Sequence, residues 1–260
     1  MSDVSGLLSI SVVSHGQIEL VRRLLADLGK YCQATTFEVI LTLNIEEAFP
    51  LGSDVYPFPL HVIRNDTPKG FGANHNAAFR QAKGKFFCVA NPDIRLIEDP
   101  FPPLIGRLAG KAGVVAPLVA NPEGGIEDSA RRFPTPWRIV RKVFGGAKGP
   151  DYAIGKDDLH PDWVGGMFML FTHEVFGTLG GFDERYFLYY EDVDLCARLT
   201  LDDLAVVLCP QVRVIHEARR SSHRNMRFMK WHLTSMARFF LSKPFRGMMM
   251  RAMFRSNRSV

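Results

Sequence analysis

The sequence predicts an α/β fold, a parallel β-sheet with helices on both of its faces. Three observations carry this. Apolar, β-branched runs of strand length recur through the first 120 residues. Segments with helical spacing or glycine turns separate them. Polar turns follow the runs, and strands that alternate with helices in this way pair in parallel. Leu7 to Val13 is the first run, closed by the turn Ser14-His15-Gly16. Ile18, Leu20, Val21, Leu24, Leu25 and Leu28 then recur at helical spacing, with Gly29 as the stop. Phe37 to Leu43 and Leu60 to Arg64 read as two further strands. Gly70-Phe71-Gly72 leads into a helix over Ala73 to Ala82, and Lys85 to Ala90 is a buried strand that stops at Asn91-Pro92-Asp93. In such sheets ligands sit beyond the carboxyl ends of the strands, which directs attention to residues 14–16, 44–47, 65–72 and 91–93. Asn121 to Asp162 is rich in glycine, proline and charge and predicts a long surface excursion over the site. Trp163 to Phe171 is another apolar run, and Phe182 to Arg198 holds the densest acidic cluster. Leu204 to Ile215 is strand-like up to His216, and Arg224 to Phe240 is helical.

Composition narrows the class. The 260 residues are 47% apolar and 23% charged, which excludes a disordered or collagenous chain. Four cysteines without a C-x-x-C pair suggest neither a zinc knuckle nor a disulfide framework. No basic residue precedes Arg22, and no apolar run reaches membrane-spanning length, so the expectation is a soluble, cytoplasmic chain. The net charge of +5 hides an asymmetry: residues 211–260 carry 12 Lys and Arg against one acid, Glu217. That end predicts an anionic partner.

Asn91-Pro92-Asp93 is the first candidate for chemistry. Proline has no N–H for a sheet ladder, so it ends the strand and turns Asp93 outward at the carboxyl edge. A carboxylate there suits a hard divalent cation, and equally an ordinary turn. Glu191-Asp192-Val193-Asp194 is the second. Acids favour a helix start, yet Phe187-Leu188-Tyr189-Tyr190 before it and Leu195-Cys196 after it are apolar. Carboxylates in such surroundings have raised pKa values that suit a general base, so a plain helix start and a working pair stand as equal readings. Glu191 and Asp194 share a helical face while Asp192 projects elsewhere. His216 reads as a ligand, a proton shuttle or a satisfied core histidine. Hydride transfer is disfavoured, because His75 stands where the dinucleotide fingerprint needs its third glycine, and no P-loop motif occurs.

Several motifs follow one another in a set order. Ser9-Ile10-Ser11-Val12-Val13-Ser14-His15 comes first, then Asn65 with Lys69-Gly70-Phe71-Gly72 and Asn76, then Asn91-Pro92-Asp93. Trp163-Val164-Gly165-Gly166 comes next, and Gly181-Phe182-Asp183-Glu184 precedes Glu191-Asp192-Val193-Asp194-Leu195 and Arg198. Over roughly residues 7–240 this succession resembles family 2 glycosyltransferases, nearest to the rhamnosyltransferase-like branch of bacterial surface-polysaccharide enzymes. The resemblance implies a GT-A fold: a Rossmann-like mixed, mostly parallel sheet flanked by helices. It further implies a nucleotide-diphosphate sugar donor (dTDP-rhamnose or a UDP-hexose), Mg2+ or Mn2+, and inversion at the anomeric carbon.

It sets Val13, Ser14 and His15 against the nucleotide, with Asn44, Lys69, Gly70, Asn76 and Asn91 completing the donor-binding set. Asp93, matching the last acid of the usual D-x-D, becomes a metal ligand, and His216 the second. Asp192 becomes the general base, with Glu191 positioning the acceptor. Arg64 and Arg131-Arg132 are further candidates for phosphate or acceptor contact. Two positions depart from the family pattern. Leu43-Asn44-Ile45-Glu46-Glu47 stands where an Asp-Asn pair is usual, and His15-Gly16 where an aromatic and an asparagine are commoner.

The expected division is a GT-A domain over 1–220 and a basic helical extension over 221–260. In the extension, packing is expected up to about residue 240, with contact to a membrane's inner face or an acidic acceptor beyond it. Met248-Met249-Met250 and the residues beyond them are open to a second reading as a disordered end. The partners implied are a nucleotide sugar and a saccharide acceptor, free or lipid-linked, with a homodimer compatible. Nucleic acid is not expected, since it explains the charge but neither the acids nor the strand order. The alternative is a non-catalytic GT-A module that binds a nucleotide or saccharide.

Overall fold

The computed structural model describes residues 7–49, 56–144, 149–217 and 226–256. Its first half runs β1 (Leu8–Ser14), α1 (Ile18–Tyr31), β2 (Phe37–Leu43), β3 (Leu60–Arg64), α2 (Phe71–Phe79), β4 (Phe86–Ala90), β5 (Ile94–Arg95), α3 (Phe101–Ile105) and β6 (Ala112–Ala120). The second half runs β7 (Ala130–Arg131), α4 (Pro136–Phe144), β8 (Trp163–Val164), β9 (Phe168–Thr172), α5 (His173–Thr178), α6 (Glu191–Leu201), β10 (Ala205–His216), α7 (Met226–Leu241) and α8 (Lys243–Ser256).

Eight strands form one sheet in the order β3-β2-β1-β4-β9-β6-β10-β5. The pairs from β3 through β4 are parallel, as is β6 with β10. β9 is antiparallel to both of its neighbours, and β5 is an antiparallel edge on β10. The sheet is therefore mixed and mostly parallel. Alternation along the strands divides the core. Ile10, Cys88 and Leu170 face α1 and α3 through Leu24, Leu28 and Leu104. Phe87, Val89 and Met169 face the other way, onto Phe176 of α5 and Leu195 and Leu199 of α6.

Local chemistry moves several expected boundaries. α1 runs two residues past Gly29, where Tyr31 packs on the core and the chain turns only at the buried Cys32. α2 begins at Phe71 and ends at Phe79. The run from Trp163 to Phe171 is two strands, because Gly165 and Gly166 break it: β8 pairs with β7 in a separate ribbon while β9 enters the main sheet. Residues 248–250 are helical, within α8, and residues 257–260 lie outside the described residues.

Packing of the C-terminal extension continues past residue 240. Tyr186, Tyr190, Val193, Ala197 and Phe239 form a buried cluster against which Phe245 and Met248 also pack. Ser235 Oγ donates to the Leu188 carbonyl at 2.9 Å, and Arg251 Nη1 donates to that of Thr200 at 2.7 Å. Among the described residues no helix is long and apolar enough to cross a membrane.

Candidate active site

The parallel strands end on one edge, where the backbone ties their last residues together. Asn44 N donates to the Ser14 carbonyl at 2.9 Å and Asn65 N to that of Leu43 at 3.1 Å. Val13 and Ser14 thus lie beside Asn44 and Asn65, with His15 exposed above them. Asn44 is a buried clamp. Its Nδ2 donates to the Lys69 carbonyl at 2.9 Å, and its Oδ1 accepts from Lys69 N at 2.8 Å and Asn65 Nδ2 at 2.9 Å. Its second amide hydrogen faces His15 Nδ1 at 3.2 Å. With every position of the amide occupied, Asn44 holds the 65–70 turn rather than facing a ligand.

The Lys69 side chain is exposed above that turn. Gly70 lies against the chain at Phe187, where a Cβ would come within 2.7 Å of the Phe187 carbonyl oxygen. Asn76 is likewise committed inside the protein. Its Oδ1 accepts from Phe182 N at 2.9 Å, and its Nδ2 donates to the Phe182 carbonyl at 2.8 Å and to Glu184 Oε1 at 3.0 Å. It therefore fastens the Gly181–Glu184 turn, and the expected ligand contact gives way to that role.

At the end of β4, Asn91 N donates to the Met167 carbonyl at 2.9 Å, and Pro92 ends the ladder as its missing N–H requires. β10 brings His216 opposite Ile94, so the imidazole meets Asp93: Nε2 lies 3.3 Å from Asp93 Oδ2. Nδ1 lies 2.8 Å from Glu127 Oε2. Burial pushes the His216 pKa down, but hydrogen bonds and charge from Asp93 and Glu127 outweigh it and raise it to about 9. Asp93 Oδ1 is buried with no partner among the described residues. The orphaned carboxylate oxygen is hard-donor chemistry that fits Mg2+ or Mn2+, and the imidazole adds a nitrogen only on losing the proton that Asp93 and Glu127 hold on it. No three His, Cys, Asp or Glu side chains among the described residues form a complete cation cage. The fit is to a cation that takes its other ligands from a diphosphate and water. A cleft of about 740 Å3 opens beside the pair, lined by Arg23, Asn121, Glu123, Glu127, His216 and Glu217.

Across the edge lies the acidic helix start. Tyr189 and Tyr190 both have left-handed backbone, with φ of 70° and 68°, before α6 begins at Glu191. Such conformations are strained for bulky residues and persist where packing imposes them; here Tyr190 is held against Phe239. Asp192 Oδ2 accepts from Gly166 N at 3.0 Å and Oδ1 from Val193 N at 2.8 Å. Burial raises the Asp192 pKa, and those N–H groups, with the charge of Arg131, partly oppose it. Burial and the Asp192 charge push Glu191 well above the usual carboxylate range, and its Oε2 is buried without a partner among the described residues. Asp194 differs again: it pairs with Arg198 at 2.8 Å, which also binds the Leu179 and Gly181 carbonyls.

Asp93 and Asp192 are joined through the chain. Asn91 holds Met167, and the adjoining Gly166 holds Asp192. The long excursion adds Glu127, which no local pattern singles out and which reaches His216 from 89 residues away. It also carries Arg131, a candidate for phosphate or acceptor contact, whose charge acts on Asp192. Glu47, in the 44–47 turn, accepts from Gly16 N at 2.9 Å and Ile18 N at 3.0 Å, so it occupies the start of α1.

The model of the family described as Glycosyl transferase family 2 matches residues 9–170. The chain is 29% identical over 251 residues to Rhamnosyltransferase WbbL of Escherichia coli (strain K12), covering 90% of this chain and 92% of that one. It is 32% identical over 151 residues to the N-acetylglucosaminyl-diphospho-decaprenol L-rhamnosyltransferase of Mycobacterium tuberculosis (strain CDC 1551 / Oshkosh), covering 53% of this chain. The chain spans about half the length of that relative, 48%. In structure it is similar to GalNAc-T7 with UDP, GalNAc and Mn2+, with a TM-score of 0.68 at 15% identity, covering 90% of this chain and 47% of that one.

Proposed function

The chain belongs to glycosyl transferase family 2 and has the GT-A fold, and from that premise we propose that it is an inverting glycosyltransferase. The observation that carries the reading is that the backbone links two acid sets at one sheet edge: Asp93, paired with His216, and Asp192, held by Gly166 next to the Met167 that Asn91 holds. The donor is a nucleotide-diphosphate sugar seated over Val13, Ser14, His15 and the Lys69–Gly70 turn, with Asn91 at the end of β4. Rhamnose as the sugar, from dTDP-rhamnose, is supported by the relatives' names, with a UDP-hexose as the other donor class. A lipid-linked saccharide acceptor is supported in the same way. It calls for a cytoplasmic enzyme whose basic C-terminal extension touches the membrane's inner face.

Asp93 Oδ1 would hold the divalent cation, joined by His216 Nε2 once the cation has displaced its proton, with Glu127 fixing the imidazole through Nδ1. When bound, the cation supplies neutralisation of the charge that grows on the leaving diphosphate. Asp192 takes the proton from the acceptor hydroxyl as that oxygen attacks the anomeric carbon. The bond to the nucleotide diphosphate breaks on the opposite side, and the configuration inverts in one displacement. Two backbone N–H groups keep Asp192 oriented and ionisable, whereas Glu191, held protonated, donates toward the acceptor. Asp192→Asn should lower kcat about a thousandfold while donor affinity stays within about twofold. Full turnover by that variant would remove Asp192 as the base. The commitment of Asn44 and Glu47 to internal bonds favours a second reading, a GT-A module that binds nucleotide or saccharide without catalysis. Transfer by the parent enzyme to any saccharide acceptor excludes it.

A further inference from the structure

Helix α7 is apolar on two opposite sides. Its inner side, centred on Ser235 and Phe239, packs toward Tyr186, Tyr190 and α6. Its outer side carries Met226, Met229, Leu233 and Leu241, exposed by 85%, 55%, 51% and 78%. Steps of three and four residues align Met226, Met229 and Leu233 along one stripe about half a turn round from Phe239, with Leu241 two turns farther on. Single exposed aliphatic side chains are ordinary on a soluble surface, whereas three aligned on successive turns mark a contact face. The row lies in the most one-sided charge of the chain: residues 218–260 hold 11 Lys and Arg and no acid. Arg227 and Lys230 are exposed beside the stripe. Arg227 lies over the Trp231 ring at 4.9 Å, and that ring packs on Phe187 at 4.8 Å, which braces the near end of the helix against the domain.

We propose that the outer face of α7 docks the protein on an anionic lipid bilayer. Met226, Met229, Leu233 and Leu241 enter the boundary between headgroups and acyl chains, and Arg227 and Lys230 meet lipid phosphates. This deepens the membrane-side reading of the proposed function and rests on it for its purpose, although the surface itself needs neither donor nor metal. A second copy of the chain fits less well, since two such faces would bring like charges together. A nucleic acid answers the charge but leaves four aliphatic side chains without a partner.

The test sediments the full chain with vesicles of phosphatidylcholine alone and with about one third phosphatidylglycerol. The expected result is binding to the anionic vesicles only, weakened by salt. M226S/M229S/L233S, which keeps every charge, should partition at least about tenfold less, and R227Q/K230Q should also lose binding. Equal binding by the triple-serine variant overturns the proposal, as does indifference of the parent to lipid charge. A parent dimer that the triple variant dissociates in sedimentation velocity overturns it in favour of self-association. Retention of a DNA oligonucleotide that depends on the same three side chains overturns it in favour of nucleic acid. Metal-dependent nucleotide binding, measured on the same samples, should be unchanged in both variants. Its absence from the parent would count against the transferase reading and leave the lipid surface to stand on the vesicle result.

Discussion

Glu191 and Asp192 are adjacent in the chain and opposite in circumstance. Asp192 receives two backbone N–H groups, while Glu191 is buried with one oxygen unpartnered among the described residues and a like charge beside it. Burial raises both pKa values, but the N–H groups on Asp192 oppose it there, so Asp192 is the member that ionises more readily and Glu191 the one that keeps its proton to higher pH. The difference also has a consequence for stability. With a folded pKa raised well above 4.5, native Glu191 keeps a proton that the unfolded chain has released. Stability therefore falls as pH rises through that window. Glu191→Gln should melt above the parent at about pH 7–8, with the gap closing toward about pH 4.5 in a series of thermal melts. A gap that is constant with pH, or of opposite sign, would show that Glu191 is ionised in the folded protein. The ionisable residue types at the site were legible from the sequence, because acids among aromatics are conspicuous. Which acid faces the site was less so: Asp194, in the same motif, is tied to Arg198.

The elements that present these residues are turns held by close backbone approach. The turn at Gly70 touches the segment before α6, with Phe71 N donating to the Phe187 carbonyl at 2.9 Å. A Cβ on Gly70 would sit 2.8 Å from the Phe187 Cα, and backbone cannot move aside as a side chain can. Gly70→Ala should cost about 2–3 kcal/mol and lower Tm by about 5–10 °C. A melt unchanged from the parent would mean that the two segments separate freely. Strands and α1 were visible from their periodicity, since a buried face imposes a repeat on the residues that line it. The short pieces were not. β7 and β8 have two residues each, too few to show a period, and they exist because they pair with each other. Glu127 had no local signal either, because its partner lies 89 residues away.

At the scale of the molecule, the sheet gathers chemistry from 200 residues of chain onto one edge. Val13 and Ser14 arrive with β1, Asp93 after β4, Asp192 with α6 and His216 with β10. Calorimetry with dTDP, UDP and GDP, each with and without Mn2+, should find one nucleotide whose binding depends on the metal. Asp93→Ala should weaken that binding at least about tenfold. Metal-independent binding of all three, or none at all by a folded sample, would displace the metal from the proposal. The sequence by itself determined the α/β class, the carboxyl-edge location of the site and the identities of Asp93, Asp192 and His216 as its candidates. Each of those is written in local patterns: strand periodicity, a proline that stops a ladder, acids set among aromatics. Only the tertiary structure decided that Asn44 and Asn76 are clamps, that Glu127 orients His216, and that the outer stripe of α7 is left uncovered. Hydrogen-bond saturation and burial are properties of what surrounds a side chain, and those surroundings are assembled from segments far apart in the chain.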